Sequence, residues 1–452
     1  MGKRIMAIIG KWLRGVQPLL LLAGIALIGQ TITGQSVIGQ AWAADPTVIT
    51  VWSWSPVTPT MNAMIAAIEK AHPDIQIKAT ISPHPVYSVS LQAAAGSGNM
   101  PDIVGLSPGA ETQQYRAHLL KLGAVAEALW GHDWQKDFSP ALLTEARFGN
   151  PAGDTDFYAL PQEAQLNNLW YNIPAFKKAG LDGPPKTLDE LIADCEKLRA
   201  AGFIPFYQGA STGTFDVWTF LQIALQTDLA GVLAGERGEA VWDKPGMIEA
   251  AHVWQRLFTD HVFQPGALSA LQYPTGANLF AAGRVGMISL GSWWLQQTGL
   301  SDQPGLKTMS DYGIFSFPAV RSGGEPSPPF GGVDFGWGIT DTASKSPAQL
   351  AAAKIVLQEF ISGVGEQEAL NQLNDLPAFN GKTPGQTMPA HLSELYDSYI
   401  KQLAAAHPHV IGNPVINQSL ISGLQAIGAG SMTPEAAMQA VQKTALAQQK
   451  AD

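Results

Sequence analysis

Ser211 sits in Gly209-Ala-Ser-Thr-Gly213, the Gly-x-Ser-x-Gly spacing that on a sharp strand-to-helix turn lifts a hydroxyl clear of the backbone for nucleophilic attack. The flanks suit such a turn. Phe203-Ile-Pro-Phe-Tyr207 reads as a short or edge strand, and a helix is expected from about Phe215 to Ala230. Asp260, Asp334, His391 and His407 follow in an order that an acid and a base can use. The pattern is short in a chain with 46 glycines, and no spacing ties one histidine to Ser211. An exported serine hydrolase using Ser211 is therefore the alternative reading.

Other reactive arrangements are weaker. The nine histidines include His407-Pro-His409, but there is no His-Glu-x-x-His and no ligand cluster with metal spacing, so no metal is expected. Gly331-Gly-Val-Asp-Phe-Gly336 lacks the lysine of a phosphate loop, and no cofactor is expected. The single cysteine, Cys195, falls on the stripe Leu188, Leu191, Ile192, Leu198 at helical spacing. It reads as core rather than as a reactive thiolate, and it can form no intrachain disulfide.

Short β-like runs alternate with amphipathic helices, the grammar of α/β layers. Thr47-Val-Ile-Thr-Val-Trp52, Ile75 to Ile81 and Asp102 to Leu106 are strands, with helices over about 60–71 and 88–95 between them. In a parallel or mixed sheet of this kind ligands sit beyond the carboxyl ends of the strands, which singles out the loops Trp52-Ser-Trp-Ser55 and Ser107 to Glu111. Further on, Thr187-Leu-Asp-Glu190 is a capping box for a helix ending near Ala201, with Gly202 as its stop. Ser346-Pro347 and Thr433-Pro434 open two more helices.

Charge is distributed unevenly. Residues 1–43 hold Lys3, Arg4, Lys11 and Arg14 and no acid, leaving 23 basic against 37 acidic side chains in the remainder. An acidic body without basic clusters excludes nucleic acid as a partner, since phosphates need compensating positive charge. The basic start precedes an apolar run, Pro18 to Ile28, and a small-x-small site at Ala41-Trp-Ala43. This reads as an export signal, cleaved near Ala43 or retained as an anchor; the apolar run is short for a membrane span.

Six segments in order carry a resemblance. They are Pro101-Asp-Ile-Val104, Leu119-Leu-Lys-Leu122, and Tyr158-Ala-Leu-Pro161 with Leu169-Trp-Tyr-Asn172. Phe176-Lys-Lys-Ala-Gly-Leu181 comes next, then Pro185-Lys-Thr-Leu-Asp-Glu190 with leucine for the usual tryptophan. Last is Phe280-Ala-Ala-Gly-Arg-Val-Gly-Met287 followed by Gly291-Ser-Trp293. Over nearly all of residues 45–452 the chain resembles the family 1 extracellular solute-binding proteins of bacterial ABC sugar importers, the maltose-binding-protein-like group.

The resemblance implies an α/β fold of two discontinuous lobes joined by a hinge, of the periplasmic-binding-protein type II. The N-terminal lobe is expected from residues 44–138 and 312–362 and the C-terminal lobe from 139–311 and 363–452, with crossings near Phe138, Asp311 and Ser362. It implies a monomeric periplasmic binder, without catalysis, that closes on a sugar and is recognised by a membrane permease with its ATPase. The cleft loops of that family fall on Trp52 and Trp54, Trp218, Trp293-Trp294, and Phe335 with Trp337. Polar candidates beside them are Glu111, Glu163, Asn167, Asp216, Asp334 and Asn413. Flat aromatics paired with carboxylates and amides suit the C–H faces and hydroxyls of sugars. Trp293 matches the family's stacking tryptophan and Glu163 a cleft carboxylate, whereas Gly109-Ala110 replaces charged residues of the maltose-binding pattern. In either tryptophan pair one ring is expected to face a lobe interior; Asp216 equally suits a helix cap, and Asn413 a turn before Pro414.

Overall fold

The computed structural model describes residues 45–450. The export-signal reading falls on residues 1–43, outside the described residues. Among the described residues no helix is long and apolar enough to cross a membrane.

Alternation decides the first strands. In β2 (Ile75–Ile81) Ile75 and Ile77 are buried while Gln76 and Lys78 face solvent. It pairs in parallel with β1 (Thr47–Ser53), which pairs in parallel on its other side with β3 (Ile103–Leu106). Helices Thr58–Ala71 and His84–Ser97 make the crossovers, the first burying Met61, Met64 and Ile68 at helical spacing. The remaining strands are β4 (Leu160–Asn172), β5 (Ile204–Tyr207), β6 (Val285–Gly291), β7 (Tyr312–Phe315), β8 (Gly331–Ile339) and β9 (Leu376–Pro377). The sheet order is β2-β1-β3-β8-β4-β6-β5, with β7 and β9 also on β4. Pro205, which has no amide hydrogen to give, lies as expected in an end strand.

β4 holds the two halves of this sheet together. Its first half, Leu160 to Leu166, pairs with β8, which continues onto β3; its second half pairs with β6 and β7. Every residue of β4 except Tyr171 is buried. β9 joins β4 at Glu163–Ala164, midway along. Three residues mark the expected crossings. Phe138 is packed against Trp134 and Phe379, Asp311 gives its carbonyl to the Ile173 amide, and Ser362 ends the helix Pro347–Ile361.

The helix starts follow the sequence signals. Thr187, Ser346 and Thr433 each accept an amide of the first turn that follows them, which satisfies an orphan donor. The capping box differs in one respect: the Glu190 carboxylate takes the Lys186 amide at 2.6 Å, one residue before the cap. The expected helix over 215–230 is two, Thr214–Thr227 and Leu229–Glu236, separated by Asp228, which caps the second. Cys195 is fully buried and burial pushes its thiol up to about 12, the state of an inert core residue.

Two glycines permit a close approach. Gly109 and Gly149 have φ of +70° and +80°, and both lie against the backbone of Ile411–Gly412. A side chain at either would meet a carbonyl there.

Candidate functional site

Two bulges sit where β4 meets β8. Pro161 opposes Gly336, Glu163 opposes Phe335 and Ala164 opposes Val333, so Gln162 on one strand and Asp334 on the other have no partner in the ladder. Bulges re-aim side chains, and here they do so beside Glu163. Gln162 is turned inward, taking the Trp337 indole on its carbonyl and giving its amide to Glu366 at 2.9 Å. Asp334 joins Glu163 and Asp375 in one cluster, with one oxygen of each within 4.8 Å of the others. Three distant segments supply this group, so sequence spacing did not reveal it.

Burial dominates the electrostatics of the cluster. Glu163 is completely buried; Asn374 donates to its Oε2 at 2.7 Å and its Oε1 has no partner. Burial, then the charge of Asp334, pushes its carboxyl up to about 8. Asp375 is raised well above the carboxylate range by burial and by Asp334 and Glu163. Its Oδ1 accepts from Ser292 at 2.5 Å and from the Leu376 amide, and its Oδ2 has no donor. Half-buried Asp334 is pushed to about 6 by burial, opposed by the Asp375 hydrogen bond and by His409 and His84. Glu366 is likewise raised, by burial and then by Glu163.

Aromatic rings border this cluster on two sides. Trp54 is half-buried against the rings of His84, Tyr87 and Phe335, at 4.8, 5.3 and 5.9 Å between centroids. His84 in turn lies 3.4 Å from Glu111, whose other oxygen accepts the Ser107 amide at 2.8 Å. Burial works to raise Glu111, but His84 and the Ser107 bonds outweigh it and hold the carboxyl below its ordinary value. Desolvation works to lower His84, and Glu111 and Asp334 outweigh that and raise it. On the other side Trp293, next in chain to Ser292, donates its indole to the Tyr273 hydroxyl at 2.7 Å. Its ring lies 5.8 Å from that of Trp218, which lies 5.5 Å from His409. His409 is buried with Glu145 at 2.9 Å, and Glu145 also accepts the Val333 amide of β8.

The sequence candidates divide accordingly. Trp54, Glu111, Glu163, Trp218, Trp293 and Asp334 come together around the middle of β4 and β8. Within the second pair Trp294 is the core residue, fully buried against Phe280. Asn167 lies two turns of the alternation along β4 from Glu163, buried, with neither amide atom partnered. Asp216 is buried beside Gln208, whose amide it accepts at 3.1 Å, and burial pushes it up to about 8. It does not cap its helix, because Gly213 holds that position. Trp337 is corrected to core: it is fully buried, 4.6 Å from the Phe360 ring. Asn413 is corrected to a cap: its Oδ1 accepts the amides of Val415 and Ile416 at the start of the helix Pro414–Gly428.

The reasoning from sequence missed Asp375, Asn374, Tyr273, His84 and His409. His409 stood in a motif weighed only for metal, and the others carry no local signal. Ser211 is exposed in its loop, its amide bonded to Ala270, and among the described residues no histidine reaches its hydroxyl; His391 is bonded to the Tyr312 carbonyl. A surface concavity of about 570 Å³, lined by Lys121, Glu127, His132, Asp154 and Asp156, includes none of the clustered residues. Asp154 and Asp156 there are occupied by hydrogen bonds to Tyr158 and to the amides of Gly123 and Phe157.

A family model described as bacterial extracellular solute-binding protein matches residues 54–362. The chain is 26% identical over 380 residues to an uncharacterized ABC transporter extracellular-binding protein of Pyrococcus horikoshii, covering 80% of this chain and 76% of that one. Among solved structures it is similar to a chitin oligosaccharide binding protein, with TM-score 0.73 at 24% identity over 89% of this chain and 99% of that one. It is also similar to maltose-bound T. maritima MalE3, with TM-score 0.70 at 20% identity over 89% and 99%. The shared fold is two discontinuous α/β lobes joined by a hinge.

Proposed function

Because the chain belongs to the bacterial extracellular solute-binding protein family, we propose that it captures a sugar between its lobes and delivers it, unchanged, to the permease of an ABC importer. The observation that carries this reading is the pairing of half-buried Trp293 and Trp218 with the carboxyl cluster, linked through Ser292 and Asp375. Stacking faces beside buried acceptors without protein partners are what a polyhydroxylated ring satisfies. In this reading the lobes change over on β4, on β8 and at Asn374–Leu376, in place of the crossings expected near Phe138, Asp311 and Ser362, and Glu163 and Asp334, on paired strands, belong to the hinge. Closure about that line brings ligand contacts from both lobes, and binding energy shifts the open–closed equilibrium. Export to the periplasm, a monomeric state and the absence of catalysis belong to the same reading.

A thermal-shift screen of residues 44–452 against mono- and oligosaccharides tests it. A saturating sugar should raise the midpoint, corresponding to ~2.7 kcal/mol at a hundredfold excess over Kd, and be recovered intact. Trp293→Ala should weaken that sugar by about 2–4 kcal/mol with the fold unchanged. No shift with any sugar would remove the carbohydrate claim, and turnover of the sugar would replace a binder with an enzyme.

A further inference from the structure

Three carboxyl groups with oxygens within 4.8 Å of one another are ordinarily neutralised by lysine or arginine, and here no lysine or arginine pairs with Glu163, Asp334 or Asp375 among the described residues. The positive groups acting on the cluster are the imidazoles of His84 and His409, and both are engaged by other carboxylates, Glu111 and Glu145. Asn374, 1% exposed, turns its amide into the cluster, donating to Glu163 and leaving Oδ1 without a partner. Glu163 Oε1 and Asp375 Oδ2 are also buried acceptors without donors. Acceptors of this number and sign, with no donor in the protein, call for a ligand that brings both hydrogens and positive charge.

Resting on the solute-binding reading, we propose that the solute carries a protonated amine, as an amino sugar does, held by Glu163, Asp334 and Asp375. The neighbouring rings decide between an organic ammonium and a metal ion. Ser292, bonded to Asp375, precedes Trp293, and Trp293 is bonded to Tyr273, so aromatic faces adjoin the carboxyls. Such faces attract an ammonium and its flanking C–H groups. They give nothing to calcium, which takes six to eight oxygens, and here Asn374 already occupies Glu163 Oε2 while Ser292 and the Leu376 amide occupy Asp375 Oδ1. A neutral sugar brings hydroxyl donors to these acceptors but no positive charge.

Calorimetry with glucosamine and its β-1,4 oligomers, against the same sugars N-acetylated, against glucose oligomers, against spermidine and against CaCl2, separates these cases. The amino sugar should bind at least tenfold more tightly than its N-acetylated and neutral counterparts. Glu163→Gln and Asp334→Asn should each erase that preference while circular dichroism stays native; the second variant, at a half-buried position, guards against a folding defect in the first. Equal or tighter binding of a neutral sugar overturns the ammonium and leaves the sugar reading intact. Spermidine binding without any sugar upholds the ammonium and sinks the sugar. Heat from CaCl2 alone, or from no ligand, overturns the proposal.

Discussion

Asp216 isolates what burial does to a carboxyl in this protein. It has one hydrogen-bond donor, Gln208, and an Oδ2 without a partner, and burial pushes it from 3.8 to about 8. A carboxyl raised in the folded state binds more protons there than in the unfolded chain, so its contribution to stability is fully present below its unfolded value near 4. That contribution is lost as pH rises through about 8. Glu163 and Asp334, raised to about 8 and about 6, act in the same direction. The unliganded protein should therefore lose thermal stability between about pH 4 and pH 8. Asp216→Asn keeps the carbonyl that Gln208 needs and mimics the protonated group, so it should flatten part of that decline. Melting curves across this range check it; a variant that declines as steeply as the parent would place the pH dependence elsewhere. The same residue illustrates what spacing alone gives. An acid near the start of a helix suits a cap, but Gly213 takes the cap position and turns Asp216 inward.

At the scale of elements, Asn413 fixes the entry of the helix Pro414–Gly428 by taking the amides of Val415 and Ile416 at 2.9 and 3.1 Å. Asn413→Ala should cost about 1 kcal/mol of stability in a denaturant titration, with ligand affinity unchanged. A loss of affinity at full stability would return this residue to the site. The first three strands, the crossover helices and the capped helix starts were legible because each rests on local pattern: alternation, helical spacing, a cap. β4 and β8 were not. β4 is buried along nearly its whole length while carrying Gln162, Glu163, Gln165, Asn167 and Asn168, so neither alternation nor an apolar run marks it. β8 carries Gly331, Gly332, Gly336 and Gly338 and reads as a loop, yet it lies buried between β3 and β4. The resemblance pointed to Trp293 and Glu163, with Asp334 only a polar candidate beside Phe335, whereas the two bulges that bring Asp334 to Glu163 exist only in the pairing of those strands. Trp337 was misjudged for the same reason: strand direction, not residue type, sends its ring toward Phe360.

For the whole molecule, the hinge strands matter only if the parts they join meet. Gly109 and Gly149, on the chain leading from β3 to β4, lie against Ile411–Gly412, just ahead of the helix Pro414–Gly428 that packs on the helix Thr214–Thr227. With the lobes changing over on β4 as proposed above, rather than near Phe138, this is a contact across the cleft. Gly412 is the position at which to test it, because its backbone is not left-handed and a new side chain there acts by volume alone. A Cβ on Gly412 would lie 2.8 Å from the Gly149 amide nitrogen and 3.2 Å from the Phe148 carbonyl carbon, both across the contact, and 3.1 Å from the Glu236 oxygen on its own side. Gly412→Ala should hold the lobes apart by a few tenths of an ångström and tax the closed form alone. Solute affinity should then fall by about tenfold, equivalent to ~1.4 kcal/mol. The melting midpoint without solute should stay within a few degrees of the parent. In small-angle scattering the parent should contract on adding its solute and the variant should need a higher concentration to do so. Unchanged affinity would mean that this contact is made in open and closed forms alike, because only a difference between the two states can be felt by the ligand.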